Sequence, residues 1–530
     1  MYNSQLNNFN DDEPLSSSEA PPQPQQSGAQ PMTVKALPEY PALSKSDQSD
    51  SFAVLVSIRA PMLSPETADV ANSRAPLDLV AVLDVSGSMY GNKIALLKQA
   101  VNFVIRNLGP TDRLSIITFS TYSHRLTPLT RMTQAGQADT LRAVHSIRAD
   151  GSTNIIAGLQ TAVQVLDQRR QKNPVTSIIL LSDGQDTDNR NFMSCLNRLP
   201  QSIRSNAVGS DLNPTLPSDK IPVYTFGFGS DHDASALHAI SDGSGGTFSY
   251  IEAIEVIQDA FAQCLGGLLS VVAQEVEIQV HSGISGRPDV KIKSIPSGGY
   301  KNTIDSFNGQ HGVIYVGDVY ADEEKQFLVY LSVPPLTTKL LEVKCSYKNP
   351  VSNEKIESNT ERAEIRRPLK EELSEEDKRV CLEVDREKNR ITIAEGITQA
   401  QEMAERGDLD EAREILELSR CSVRHSYAGE VEDSVTMSLF GQAGRVVQSM
   451  RTEESYRGGG RAFALSAQSS HQYQRAAAQM LQPVPASGDP VGDEFGFRTS
   501  YMEQMVKKSQ QERQGSGQDQ GTDGNGSASP

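Results

Sequence analysis

Between residues 77 and 265 the apolar pattern switches repeatedly between two periods. LDLVAVLD (77–84), RLSIITFS (113–120), TSIILLSDG (176–184) and IPVYTFGFG (221–229) are short and nearly continuous in apolar residues, as strands buried on both faces are. Between them Ile94, Leu97, Val101, Val104 and Ile105 recur at helical spacing, and 154–168 predicts a second helix. Residues 235–251 predict a short helix and a fifth strand, and Ile254, Ile257, Phe261 and Leu265 mark a closing helix. Strands alternating with helices predict a doubly wound, Rossmann-like α/β unit with right-handed crossovers and helices on both faces. Sites in such sheets form beyond the carboxyl ends of the strands, near the topological switch point.

After residue 271 the pattern becomes short strands separated by turn residues: EVEIQVHS, DVKIKSI, GVIYVGDV, KQFLVYLSV and LLEVKCSY. This predicts an antiparallel β-sandwich. FAVLVSIRAP (52–61) alternates as a strand, and no crossover helix joins it to 77, so it is expected to pair with the sandwich. From 369 the chain reads as helical. Ile393, Ile397 and Ala400 line one face, Gly407 suits a C′ position, and Asp408 with Glu411 suits a capping box opening the second arm of a hairpin. Val431, Val435, Leu439, Ala443 and Val447 predict a third helix. The expected organisation is a disordered segment at 1–50, a strand and linker at 51–76, the α/β domain at 77–270, the sandwich at 271–368, a helical region at 369–457, and a mostly disordered tail at 458–530. The termini are assigned by composition, being rich in Pro, Ser, Gln, Asn and Gly.

Charge and cysteine usage narrow the class. The 530-residue chain has a net charge of −17, which repels phosphate backbones and argues against nucleic acid as a partner. Its five Cys are scattered and form no CxxC pair, so neither a disulfide framework nor a zinc site is expected. The N-terminus lacks a signal-peptide pattern, and no apolar run approaches a membrane span. A cytoplasmic protein without membrane insertion is expected.

One constellation carries chemistry. DVSGS places Asp84, Ser86 and Ser88 directly after the first buried strand, where alternate residues of an extended loop point the same way. Thr153, in DGSTNI, precedes the second helix, and Asp183, in SDG, ends the third strand. All five should gather at one sheet edge. The donors are hydroxyls and carboxylates, hard ligands that select Mg²⁺ or Mn²⁺. Hydroxyl-dominated ligation leaves positive charge on the ion and an open position that attracts an acidic side chain of a protein partner. That is docking, and it needs no nucleophile or general base. Asp231, His232 and Asp233 could be a second metal cluster, but a helix cap is expected there. Gly243–Gly246 precede a strand, which suits a turn and not a phosphate loop. No GxSxG, Walker or HExxH pattern occurs, so no catalytic residue is assigned and no enzyme is expected.

DxSxS after a buried strand, then GST, then SDG, in this order, resembles the von Willebrand A superfamily. The resemblance implies that Ser86, Ser88 and Thr153 touch the metal directly, with Asp84 and Asp183 acting mostly through water. NDDEPL, VKALPEYPAL, IPVYTFGFGSDHDASALHAI, AERGDLDEAREIL and GGRAFALSAQSSHQYQRA are moreover similar to the plant RING-finger/von Willebrand A family of WAVY GROWTH 3 ubiquitin ligases. Family ligases carry a zinc-binding RING finger before the DDEPL segment. The sequence begins almost at that segment, and its five Cys and eight His supply no such finger. The expected function is therefore a metal-dependent protein-binding module. The alternative is the substrate-recognition part of a ubiquitin ligase, with its RING lost, omitted upstream, or supplied by a paralogue. A secreted adhesion protein, like the inter-alpha-inhibitor heavy chains, is disfavoured by the absence of a signal peptide and of paired Cys.

Overall fold

The structure is a computed structural model, and it describes residues 9, 12–15, 31–63, 74–185, 201–203, 220–229, 232–282, 290–478 and 497–518. Strands β1 (Thr33–Pro38) and β2 (Ser49–Arg59) precede the α/β domain. That domain runs β3 (Leu77–Asp84), α1 (Asn92–Asn107), β4 (Arg113–Phe119), β5 (Ser123–Arg125), β6 (Thr130–Arg131), α2 (Gln134–Ser146), α3 (Ile155–Gln168), β7 (Val175–Ser182), β8 (Val223–Phe228), α4 (Ala234–Ser244), β9 (Phe248–Ile251) and α5 (Ile257–Leu268). Its sheet order is β5-β4-β3-β7-β8-β9, with β6 also on β4. The pairs from β4 through β9 are parallel, and β5 and β6 are antiparallel to β4. Every residue of β3 is buried, because helices cover both faces. Leu79, Ala81 and Leu83 pack one way against α1 and α5, and Val80 and Val82 the other way against α3 and α4. The chain leaves β3 for β4 on one side and crosses to β7 on the other, so Asp84 ends the strand at the switch point. Helix α2 was not anticipated from the sequence, because it buries only Gly136, Thr140 and Val144 and has no strong apolar stripe.

The second layer pair is a β-sandwich. One sheet has the order β1-β2-β14-β11, the other β12-β13-β10-β15, with β16 and β17 both on β15. Its strands are β10 (Val271–His281), β11 (Lys291–Ser294), β12 (Lys301–Ile304), β13 (His311–Tyr320), β14 (Glu324–Val333), β15 (Lys339–Lys348), β16 (Lys355–Glu357) and β17 (Glu361–Glu364). Val54, Val56 and Ile58 of β2 join Ile278, Val280, Phe327 and Val329 in its core. Helices α6 (Leu382–Glu405), α7 (Leu409–Arg424) and α8 (Ser434–Ser449) form the helical region. Gly407 turns the hairpin at φ +94. Asp408 stands at the N-cap of α7, but its side chain makes no cap bond.

Parts of the two segments expected to be disordered carry regular structure. Within 1–50, β1 pairs antiparallel with β2 from Thr33↔Arg59 to Pro38↔Val54. Near the start, Glu13 N donates to Leu129 O (3.1 Å), and Asp12 pairs with Arg125. Within 458–530, α9 (Arg461–Tyr473) and α10 (Ser500–Gln518) are helices. Composition misses them because these segments have no core of their own and order only against the rest of the molecule. Helix α9 is rich in Ala and Ser, and ten of its thirteen residues are buried. Such small side chains let it wedge between the sheet edge and the helical region. Residues 1–8, 10–11, 16–30, 479–496 and 519–530 of these two assignments lie outside the described residues.

Candidate metal and ligand-docking centre

The loop after β3 is shaped by its own side chains. Ser86 N donates to Asp84 Oδ1 (2.8 Å), a local bond that turns the chain at the strand end. Gly87 N donates to Gly151 O (2.9 Å), and Asp150 N donates to Val85 O (2.8 Å). The β3–α1 loop is thereby joined to the loop that carries Thr153. A side chain at residue 87 would bring its Cβ to 3.3 Å from Gly151 O, so glycine suits this approach.

Four of the five expected residues form a continuous hydrogen-bonded set. Ser86 Oγ lies 2.9 Å from Ser88 Oγ, and Ser88 Oγ donates to Asp183 Oδ1 (2.7 Å). Thr153 closes the set around Gly184: a Cβ there would stand 2.8 Å from Thr153 Oγ1 and 3.5 Å from Ser88 Oγ. Asp84, Ser86, Thr153 and Asp183 are buried, whereas Ser88 is exposed and opens the set to solvent. Two residues were missed from the sequence. Ser182 Oγ donates to Asp84 Oδ2 (2.6 Å), and Lys93 Nζ, from the first turn of α1, lies 2.5 Å from Asp183 Oδ2. Ser182 adjoins Asp183 and could have been suspected, but nothing in the sequence pattern marks Lys93.

Burial pushes the Asp84 carboxyl up to about 6; hydrogen bonds from Ser182 and Ser86 oppose the rise, and the Asp183 carboxylate adds to it. Among the described residues no three His, Cys, Asp or Glu side chains come together as metal ligands. The set instead has three hydroxyls and two buried carboxylates, which fits a small hard divalent ion that keeps water in its shell. The Asp231–Asp233 region behaves as a cap. Asp233 accepts from Ala236 N (3.0 Å) at the start of α4, and His232 stacks on Tyr250, while Asp231 lies outside the described residues. Gly245 ends α4 in a left-handed turn.

A parallel sheet with an oxygen-rich loop set at its switch point defines a von Willebrand factor type A domain, and residues 78–263 match that family's model. Residues 430–511 match the family described as VWA / Hh protein intein-like. The chain is homologous over most of its length to the E3 ubiquitin-protein ligase WAV3 of Arabidopsis thaliana, 29% identical over 435 residues, which are 80% of this chain and 53% of that protein. E3 ubiquitin-protein ligase WAVH1 of the same plant is 31% identical over 340 residues, 61% of this chain and 42% of the relative. The chain thus spans about half the length of the curated relatives it matches. Among solved structures, the von Willebrand factor type A protein from Catenulispora acidiphila covers 84% of this chain and 98% of its own, at TM-score 0.57 and 16% identity. The ArnB paralog VWA2 from Sulfolobus acidocaldarius covers 83% and 98%, at TM-score 0.50 and 16% identity. These likenesses show that the fold is shared well beyond the type A domain.

Proposed function

We propose that this protein is a binding module that docks an acidic side chain of a protein partner on a divalent cation, Mg²⁺ or Mn²⁺, at the β3 switch point. Ser86, Ser88 and Thr153 would hold the ion through their hydroxyls, with Asp84 and Asp183 balancing charge mostly through water. When bound, the ion supplies a Lewis-acidic open position for a carboxylate. The observation that carries this reading is the exposed hydroxyl of Ser88 linking Ser86 Oγ to the buried Asp183 carboxylate. Such a set offers hard oxygen ligands to a cation. The described cysteines are all free thiols, which suits a cytoplasmic protein. No helix among the described residues is long and apolar enough to cross a membrane.

The homology to proteins named as E3 ubiquitin ligases favours a second reading, in which the docked partner is a ubiquitination target. Under that reading this chain selects the substrate, and a RING finger elsewhere, in the same protein or in a paralogue, recruits the ubiquitin-charged enzyme. One experiment tests the docking step common to both. Affinity purification is run with Mg²⁺ and with EDTA, on the natural chain and on Asp84→Ala and Ser86→Ala. Partners should be recovered only by the natural chain with Mg²⁺, while circular dichroism stays native for the variants. The same partners in EDTA would exclude a metal-bridged contact.

A further inference from the structure

Lys93 is the ammonium that the structure places on the candidate centre. Its Nζ lies 2.5 Å from Asp183 Oδ2, and Ser88 Oγ takes the other oxygen of the same carboxylate (2.7 Å). The position is built. Lys93 Nζ stands 5.4 Å from the centroid of the buried Phe228 ring at the end of β8, a cation–π distance. A Cβ on Gly229, at φ +74, would come to 3.9 Å from the same nitrogen. The Asp183 side chain is fully buried, and that of Lys93 is 32% exposed. The pair therefore faces the site in a partly desolvated setting, where charges act strongly on one another.

The charges have a consequence for docking. Asp84 and Asp183 contribute two negative charges, and a divalent cation would cancel them. A neutral centre has little long-range attraction for a carboxylate. We propose that Lys93 sets the charge of this centre: its ammonium leaves the loaded site with one net positive charge, which a single partner carboxylate neutralises. The cost is weaker metal binding, because the same ammonium repels the incoming cation. Lys93 is in this sense a positioning residue, since it acts through Asp183 and not by touching the partner.

This inference rests on the docking reading, and the test separates the two. The full chain, Lys93→Met and Lys93→Arg are titrated with Mn²⁺, and free Mn²⁺ is followed by electron paramagnetic resonance. Acetate is then titrated against the Mn²⁺-loaded proteins, and loss of water-proton relaxation enhancement reports carboxylate at the open position. Lys93→Met should bind Mn²⁺ roughly tenfold more tightly and acetate roughly tenfold more weakly. Lys93→Arg, which keeps the charge, should stay within about threefold of the natural chain on both counts. Unchanged or weaker Mn²⁺ binding by Lys93→Met, or unchanged acetate binding, would overturn the role of Lys93 alone. Absence of Mn²⁺ binding in all three proteins would overturn the docking reading and this inference with it.

Discussion

Arg475 Nε lies 3.0 Å from Glu323 Oε1, deep in the molecule and 152 residues away along the chain. Around this pair the three parts of the protein meet. Lys325 Nζ of the sandwich lies 2.7 Å from the same Glu323 oxygen and donates to Tyr473 O (2.7 Å) and Gln474 O (2.9 Å). Arg475 Nη2 donates to Asp318 O (2.6 Å), and Tyr320 Oη lies 2.5 Å from Tyr224 Oη of the type A domain. Burial pushes the Glu323 carboxyl up, but Arg475 and Lys325 outweigh it and hold the group below the usual range.

Arg475→Met removes one cation from a buried network and leaves Glu323 with Lys325 alone. Breaking a buried ion pair from one side costs about 3–5 kcal/mol. The variant should be less stable by that amount, read as a lower urea midpoint in unfolding followed by circular dichroism. Adding Glu323→Gln should deepen the loss, because the buried Lys325 ammonium then has no carboxylate beside it. Equal stability of the natural chain and Arg475→Met would mean that the network does not hold the parts together.

His471 gives the fold a dependence on pH. Burial, reinforced by the Arg390 guanidinium, pushes the imidazole down to about 3 from its usual 6.5. It stays neutral in the fold, with Nε2 at 2.7 Å from Gln442 Oε1. The unfolded chain takes up the proton near 6.5, and the folded chain does so only near 3. Its contribution to stability is therefore complete above pH 6.5 and falls as pH drops from 6.5 towards 3, at up to about 1.4 kcal/mol per pH unit. His471→Gln should flatten the slope of unfolding free energy between pH 6 and 4 by roughly one proton's worth. An unchanged slope would show that His471 titrates normally in the fold.

Gly266 on α5 marks where α10 docks. A Cβ there would stand 2.8 Å from Met502 Cα, a backbone atom that cannot swing aside. Asp259 on the same helix accepts from Ser509 Oγ (2.6 Å) and pairs with Arg513. In Gly266→Ala, the helix-propensity gain of about 1 kcal/mol is set against an overpacking cost of about 1–3 kcal/mol. The substitution should loosen α10, read as faster amide exchange across 500–514 with little change in β3 and β7. Unaltered exchange in α10 would mean that the contact closes without strain.

The sequence by itself determined the α/β domain and the identity of its oxygen-bearing residues. Both depend on signals that are local. A strand such as 77–84 is nearly continuous in apolar residues because both of its faces are covered, and Asp84, Ser86 and Ser88 follow one another closely at its end. The sandwich and the helical hairpin were legible for the same reason, each carrying its own period. Only the tertiary structure decided what lies across long sequence separations. Ser182 reaches Asp84 and Lys93 reaches Asp183 because β3, α1 and β7 converge at one sheet edge. Ser469 Oγ and Ser466 Oγ accept from Phe248 N (2.9 Å) and Tyr250 N (3.2 Å), so the polar face of α9 satisfies the exposed edge of β9. Seen alone, 461–473 belongs to a moderately apolar segment without a strong helical stripe, set in a tail that composition assigns mostly to disorder. Its order comes from a partner surface more than 200 residues away, and no local periodicity encodes that.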